Sequence, residues 1–253
     1  MECTARITPD LLWVGGNDRR LNLFENIFPI PRGVSYNSYL LLDEKTVLVD
    51  TVDKAISGVF FDNLTAALDG RQLNYIVVNH MEPDHAATLA EVCERYPGAQ
   101  VMLTTKGAQM AAQFFGDGLR DRLHAVGDGA ELVTGRHHLR FFTAPMVHWP
   151  EVMVTWDETD RVLFSADAFG AFGAVVRIAR DDHVAAAGKR TADGLPGLAA
   201  HDDGVAHRGA LEVGEVLGHA PEHLVAAADD AVACGCDDEC DLHESLLRRR
   251  RAP

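Results

Sequence analysis

Asn79-His80-Met81-Glu82-Pro83-Asp84-His85 packs four potential metal ligands, His80, Glu82, Asp84 and His85, into six residues. The run before it, Leu73-Asn74-Tyr75-Ile76-Val77-Val78, reads as a buried strand. After it, Leu89, Val92, Cys93 and Tyr96 recur at helical spacing. The cluster therefore lies on a strand-to-helix loop, where alternate side chains can converge on one point. Two imidazoles and two carboxylates buried together without a cation would repel or stay unsatisfied. A metal ion removes that conflict; the plainer alternative is a solvated polar loop with no ligand role.

The flanking sequence continues the pattern. Ser38 to Leu42 and Thr46 to Asp50 read as paired strands joined by the turn Asp43-Glu44-Lys45. Phe60, Phe61, Leu64 and Leu68 fall at helical spacing, with Gly70 as a stop signal. A strand over 73–79, a helix over 86–96, a short strand at Val101-Met102-Leu103 and a helix over 107–115 follow. The rhythm then becomes strand after strand: Glu131 to Val133, Leu139 to Thr143, Val152 to Trp156 and Arg161 to Ser165. This mixture predicts an α/β layered domain with mixed rather than purely parallel sheets.

A two-metal site needs more donors than one loop holds. His148, in Pro145-Met146-Val147-His148-Trp149-Pro150, follows the strand ending at Thr143. Asp167, in Ser165-Ala166-Asp167-Ala168, follows the strand ending at Ser165. Both occupy the positional class of His80, just past a strand end, so all can project onto one edge of the sheets. Taken alone, a histidine such as His148 beside Trp149 is more often a packed, hydrogen-bonded residue than a ligand. An aspartate at a strand end can bridge two metals through its two oxygens. His137-His138 precedes a strand and is expected to face solvent, and Gly127, Gly129 and Gly135 mark turns.

Composition bounds the rest. With 253 residues, 47% of them hydrophobic, the chain can bury a sizeable core. A net charge of -15 argues against nucleic acid as a partner and against an anionic membrane surface. The basic run Arg248 to Arg251 reads as a solvated tail. No apolar stretch approaches the roughly 20 residues of a membrane span, and Met1 to Arg6 carries no hydrophobic signal region. Five cysteines fit a reducing cytoplasmic setting better than a disulfide framework.

The chain divides by composition into residues 1–172 and 173–253. All 18 aromatic residues occur at or before Phe172, although at 7% overall the last 81 residues would be expected to hold about six. The tail is rich in Ala, Gly, Asp, His and Arg, and its helical candidates, Leu211 to Leu217 and His223 to Ala233, offer only small apolar faces. Two origins are open: a weakly packed native segment, or a shifted reading frame beginning near Ala171 to Val175. Cys234-Gly235-Cys236 with Cys240 is a weak thiolate clasp at most.

The order His-x-Glu-x-Asp-His, then a lone His, then a lone Asp resembles the metallo-β-lactamase superfamily. Where its hydrolases usually carry His, this chain has Glu82, a variant similar to the flavodiiron proteins, which reduce oxygen or nitric oxide. Trp13 to Arg20, Leu23 to Asn26, Pro31 to Leu40, Leu48 to Val52 and Phe164 to Gly170 resemble the same family, over about residues 6–172. The resemblance implies an αββα sandwich for residues 1–172, with 173–253 as a divergent tail. It implies that His80, Glu82 and His148 hold one iron, Asp84 and His85 the other, with Asp167 bridging. In some members the counterpart of His85 turns away from the metal. Carboxylate-rich sites with imidazole nitrogen suit iron, whereas zinc hydrolases favour imidazole.

Two departures accompany the resemblance. Family members supply one more His about 60 residues beyond the bridging Asp; position 228 is Ala, and His219 and His223 are the nearest histidines. Members also continue into a flavodoxin-like FMN domain, and no matching phosphate loop follows residue 172. FMN is therefore expected only on a separate domain or partner, with a flavodoxin-like or rubredoxin-like electron donor. A head-to-tail homodimer is implied by the resemblance alone. The expected activity is reduction of dioxygen to water or of nitric oxide to nitrous oxide, since the ligand set is shared by both. The alternatives are a metal-dependent hydrolase, with zinc in place of iron, and an inactive truncated fragment.

Overall fold

Leu73–Val77 lies between two parallel neighbours, Thr46–Val49 and Gln100–Thr104, in the computed structural model. Leu73, Ile76 and Val77 are buried between the layers, whereas Asn74 and Tyr75 are half-buried, so the strand is apolar chiefly toward its C-terminal end. The structure describes residues 3–24, 26–168 and 173–174 and the backbone of 223–225.

Leu73–Val77 sits in a seven-stranded sheet, in the order Ala5–Arg6, Leu11–Trp13, Tyr39–Leu41, Thr46–Val49, Leu73–Val77, Gln100–Thr104, Leu123–Val126. Its first four strands pair antiparallel and the rest are parallel, so the sheet is mixed, as the sequence predicts. Helices Ser57–Leu68 and Thr105–Phe115 and the pair Pro83–Ala86 and Leu89–Arg95 supply the crossovers. The first ends where Asp69 turns left-handed (φ 47°) before Gly70 (φ 78°). Thr104 caps the helix Thr105–Phe115 by accepting the Gly107 N–H at 3.0 Å.

The second sheet runs Glu131–Val133, His138–Thr143, Met153–Asp157 and Val162–Phe164, all antiparallel. His223–Val225 then adds in parallel to Val162–Phe164. This corrects the expected helix over 223–233 at its start: Leu224 and Val225 extend the sheet edge instead. The candidate helix at 211–217, His219 and the three C-terminal cysteines lie outside the described residues.

Strand alternation sorts the core into layers. Leu40, Leu48 and Ile76 join Phe60, Leu64, Leu89 and Val92 between the first sheet and its helices. Leu41, Val47, Val49 and Val77 face the second sheet, where they meet Leu139, Phe141, Met153 and Phe164. Fully burying each such side chain stabilises by roughly 1.5–3 kcal/mol. Val154, Trp156 and Leu163, on the other face of the second sheet, form a third apolar cluster. Cys93 is a buried free thiol, and burial pushes its pKa up to about 11. Among the described residues no helix is long and apolar enough to cross a membrane.

His137 contradicts its expected solvent exposure: its side chain is 0% exposed. Its Nδ1 lies 2.6 Å from Asp157 Oδ2 and its Nε2 3.0 Å from Asp10 Oδ2. Its backbone N–H donates to Asp43 at 2.9 Å, and Arg136 bridges Asp10 and Asp160 at 2.7 Å each. Carboxylates from the bend at Asp10 and the strand end at Asp157 thus hold the ring, at the end of strand His138–Thr143 remote from His148.

Candidate metal centre

His80, His148 and Asp167 each follow a strand: Leu73–Val77, His138–Thr143 and Val162–Phe164. The first comes from one sheet and the other two from the second, so the strand ends bring them to one edge of the sandwich. Glu82 precedes Pro83–Ala86, a helical turn that begins on Pro83, where a missing N–H costs nothing, and carries Asp84 and His85 within it.

The six residues singled out from sequence come together in two groups. Ligand atoms of His80, Glu82, His148 and Asp167 all lie within 4.8 Å of one another, as do those of Asp84, His85 and Asp167. Asp167 belongs to both. Its Oδ1 lies 2.7 Å from His85 Nε2, while its Oδ2 lies 3.4 Å from His148 Nε2 and 3.5 Å from His80 Nε2. Glu82 Oε2 sits 2.9 Å from His80 Nε2 and 3.0 Å from His148 Nε2. His85 therefore turns toward the centre rather than away from it.

Exposure is uneven. The side chains of His80, Glu82 and His85 are buried, whereas His148 is 51% and Asp167 37% exposed. The centre is thus walled on the loop side and open past His148. The Trp149 ring meets His80 edge-on, with centroids 5.2 Å apart, and dries that wall.

The donors crowd one another, and their proton affinities diverge accordingly. Burial and the nearby Asp167 and Glu82 carboxylates outweigh His85 and raise Asp84 to about 6. Burial would raise Glu82 too, but hydrogen bonds from His148 and His80 hold it down at about 2. Hydrogen bonds to Asp167 and Glu82 push His148 up to about 10. His85 is buried, which disfavours its charge, yet Asp167 and Asp84 drive its pKa well above the ordinary value. Asp84 Oδ1 is buried with no hydrogen-bond partner among the described residues. Three carboxylates, three imidazole nitrogens and an unpartnered buried oxygen fit a pair of divalent ions, which would replace shared protons at every one of these contacts.

Sequence reasoning missed Glu151. It is buried, and its Oε1 lies 2.8 Å from His80 Nδ1 and accepts the Met81 N–H at 2.9 Å. The available signal was an acid set between Trp149-Pro150 and the apolar run that opens the next strand. Asp50 and Thr155 were missed as well: Asp50 accepts the Asn79 N–H at 2.7 Å, and Thr155 Oγ1 donates to Asn79 Oδ1 at 2.7 Å. The side chain of His223 and the whole of His219, the histidines nearest the place of a seventh donor, lie outside what is described.

Known proteins resemble this chain in sequence and fold. The family model described as ODP family beta lactamase matches residues 34–190. The anaerobic nitric oxide reductase flavorubredoxin of Aliivibrio salmonicida is 36% identical over 181 residues, taking in 71% of this chain and 36% of that protein. The flavodiiron protein of Giardia intestinalis superposes with a TM-score of 0.74 at 26% identity, over 97% of this chain and 58% of that one. Rubredoxin oxygen:oxidoreductase from Desulfovibrio gigas gives 0.73 at 26% identity, over 94% and 59%. The chain spans about a third of the length of the curated relative and less than two thirds of the solved structures. It belongs to the ODP family of beta lactamases, with the metallo-β-lactamase-like fold of the flavodiiron proteins.

Proposed function

We propose that the chain is the diiron core of an oxidoreductase that reduces dioxygen to water, nitric oxide to nitrous oxide, or both. The observation that carries this reading is Asp167, whose two oxygens face two separate donor groups. His80, Glu82 and His148 would hold one iron, Asp84 and His85 the other, with Asp167 between them. Glu82 favours iron over zinc, since a carboxylate beside two imidazoles suits a harder, redox-active cation. When bound, two ferrous ions would supply electrons and Lewis acidity at the open side of the site.

The residues of the chain do the remainder. Glu82 and Asp167 hold His148 at the exposed rim, and Trp149 keeps water from the His80 side. Forming water from dioxygen takes four electrons and four protons, more than two ferrous ions provide, so a donor must resupply the site. That donor would be a reduced flavin on a flavodoxin-like domain or partner, or one fed by a rubredoxin-like protein; the names of the relatives support both. Residues 1–172 would form the diiron domain and 173–253 a divergent tail, in a homodimer whose open sites would each receive electrons from a separate flavin domain or partner.

The test uses the full chain loaded anaerobically with Fe(II) and mixed with a reduced flavodoxin. Catalytic loss of oxygen or nitric oxide beyond the flavin-only rate is expected. Ester hydrolysis by the zinc-loaded chain, with no oxygen or nitric oxide turnover by the iron-loaded chain, would replace this reading with the hydrolase one.

A further inference from the structure

We infer that Glu151 is the positioning residue that makes His80 a metal ligand, by fixing which ring nitrogen faces the donor cluster; this rests on the metal-site reading above. A carboxylate can only accept hydrogen bonds. With Glu151 Oε1 2.8 Å from His80 Nδ1, the Nδ1 atom carries the proton. An ion in the cluster would then take the place of the proton that Nε2 shares with Glu82 Oε2 at 2.9 Å, and Nε2, 3.5 Å from Asp167 Oδ2, would be the nitrogen that ligates it. The same Glu151 oxygen accepts the Met81 N–H at 2.9 Å, so the ring and the backbone of its loop are indexed to one atom.

The support beneath Glu151 is itself fixed. Thr104 Oγ1 donates to the Glu151 carbonyl at 2.9 Å, and the Met153 N–H donates to the Asn79 carbonyl at 3.0 Å. Thr155 Oγ1 reaches Asn79 Oδ1 at 2.7 Å. The start of the second sheet's Met153–Asp157 strand therefore clamps both ends of Asn79-His80-Met81. Both side chains of the pair are sealed, His80 at 0% and Glu151 at 1% exposure, so water cannot stand in for the carboxylate. His85 lacks an equivalent: the oxygen facing its Nδ1 is Asp50 Oδ2, at 3.7 Å. The two halves of the centre thus differ in how firmly their histidine is oriented, and Glu151 acts on the half that contains His80.

The experiment titrates Co(II) and Zn(II) into the full chain against a chromogenic chelator, for wild type, Glu151→Gln and Glu151→Ala. Wild type is expected to bind about two ions. Glu151→Ala is expected to weaken one of them by about 10–100-fold and to leave the other within a few-fold. Glu151→Gln retains an acceptor oxygen and is expected to show a smaller but measurable loss, of about two- to tenfold, at that same ion. Long-range ¹H–¹⁵N spectra of the zinc-loaded chains provide a second readout: the Nδ1–H signature of His80 persists in wild type and Glu151→Gln and is lost in Glu151→Ala. Unchanged affinity for both ions in folded Glu151→Ala overturns the role of Glu151 while leaving the metal site standing. If Glu151→Ala does not fold, Glu151→Gln decides: a loss confined to one ion supports the role, and no loss or an equal loss at both overturns it. A wild-type chain that binds neither metal overturns the site reading, and this inference with it.

Discussion

His85 Nε2 lies 2.7 Å from Asp167 Oδ1, although 82 residues separate the two in sequence. The contact joins the first loop to the second sheet and turns the imidazole into the donor cluster. Asp167 alone stands in both donor groups, so the two residues should respond differently to removal.

His85→Ala takes one nitrogen from the group that also holds Asp84. Equilibrium dialysis with Zn(II) is expected to show one ion weakened by about 10–100-fold, with the ion near His80 less affected. Equal retention of both ions would show that the ring is a packed histidine rather than a ligand.

Asp167→Ala removes an oxygen from each group. Both ions should weaken together, leaving less than about one metal per chain after gel filtration. The metal-free variant has its own signature. His148 and His85 lose the carboxylate that raises them, so their imidazole resonances should titrate at lower pH than in the wild type.

The His137 network predicts an alkaline loss of stability. Burial disfavours the charged ring, but hydrogen bonds to Asp157 and Asp10 dominate and raise it from 6.5 to about 9. The folded state holds this proton more tightly than the unfolded chain does. The stabilisation is therefore complete below about pH 6.5 and is lost as pH rises through about 9. Its size is on the order of 3 kcal/mol. Urea midpoints of wild type should fall between pH 6.5 and 9.5, while His137→Gln starts lower and changes less over that interval. Parallel pH profiles would show that the ring is not protonated in the folded state.

The parts of this molecule that could be read in sequence are those whose partners are close in the chain. Leu73 to Val78 read as a strand because its apolar Ile76, Val77 and Val78 are buried, and the loop after it read as a candidate metal site because four donors fall within six residues. His148 and Asp167 were recoverable because each follows a strand end. Glu151 was not, since the atom it serves is 71 residues away and an acid between a proline and a valine carries no periodicity. His137 misled for the same reason: two adjacent histidines look solvated until Asp10 and Asp157 close over one of them. The edge strand Leu123–Val126 also escaped notice, being short and largely exposed, with parallel pairing to Gln100–Thr104 as its main support.

The central claim is a two-iron site, and anaerobic Fe(II) titration of the full chain followed by exposure to oxygen measures it most directly. The account predicts saturation at about two irons per chain, with a near-ultraviolet to visible charge-transfer band growing in on oxidation. Saturation below about one iron, or a chain that retains two zinc ions and excludes iron, would contradict it.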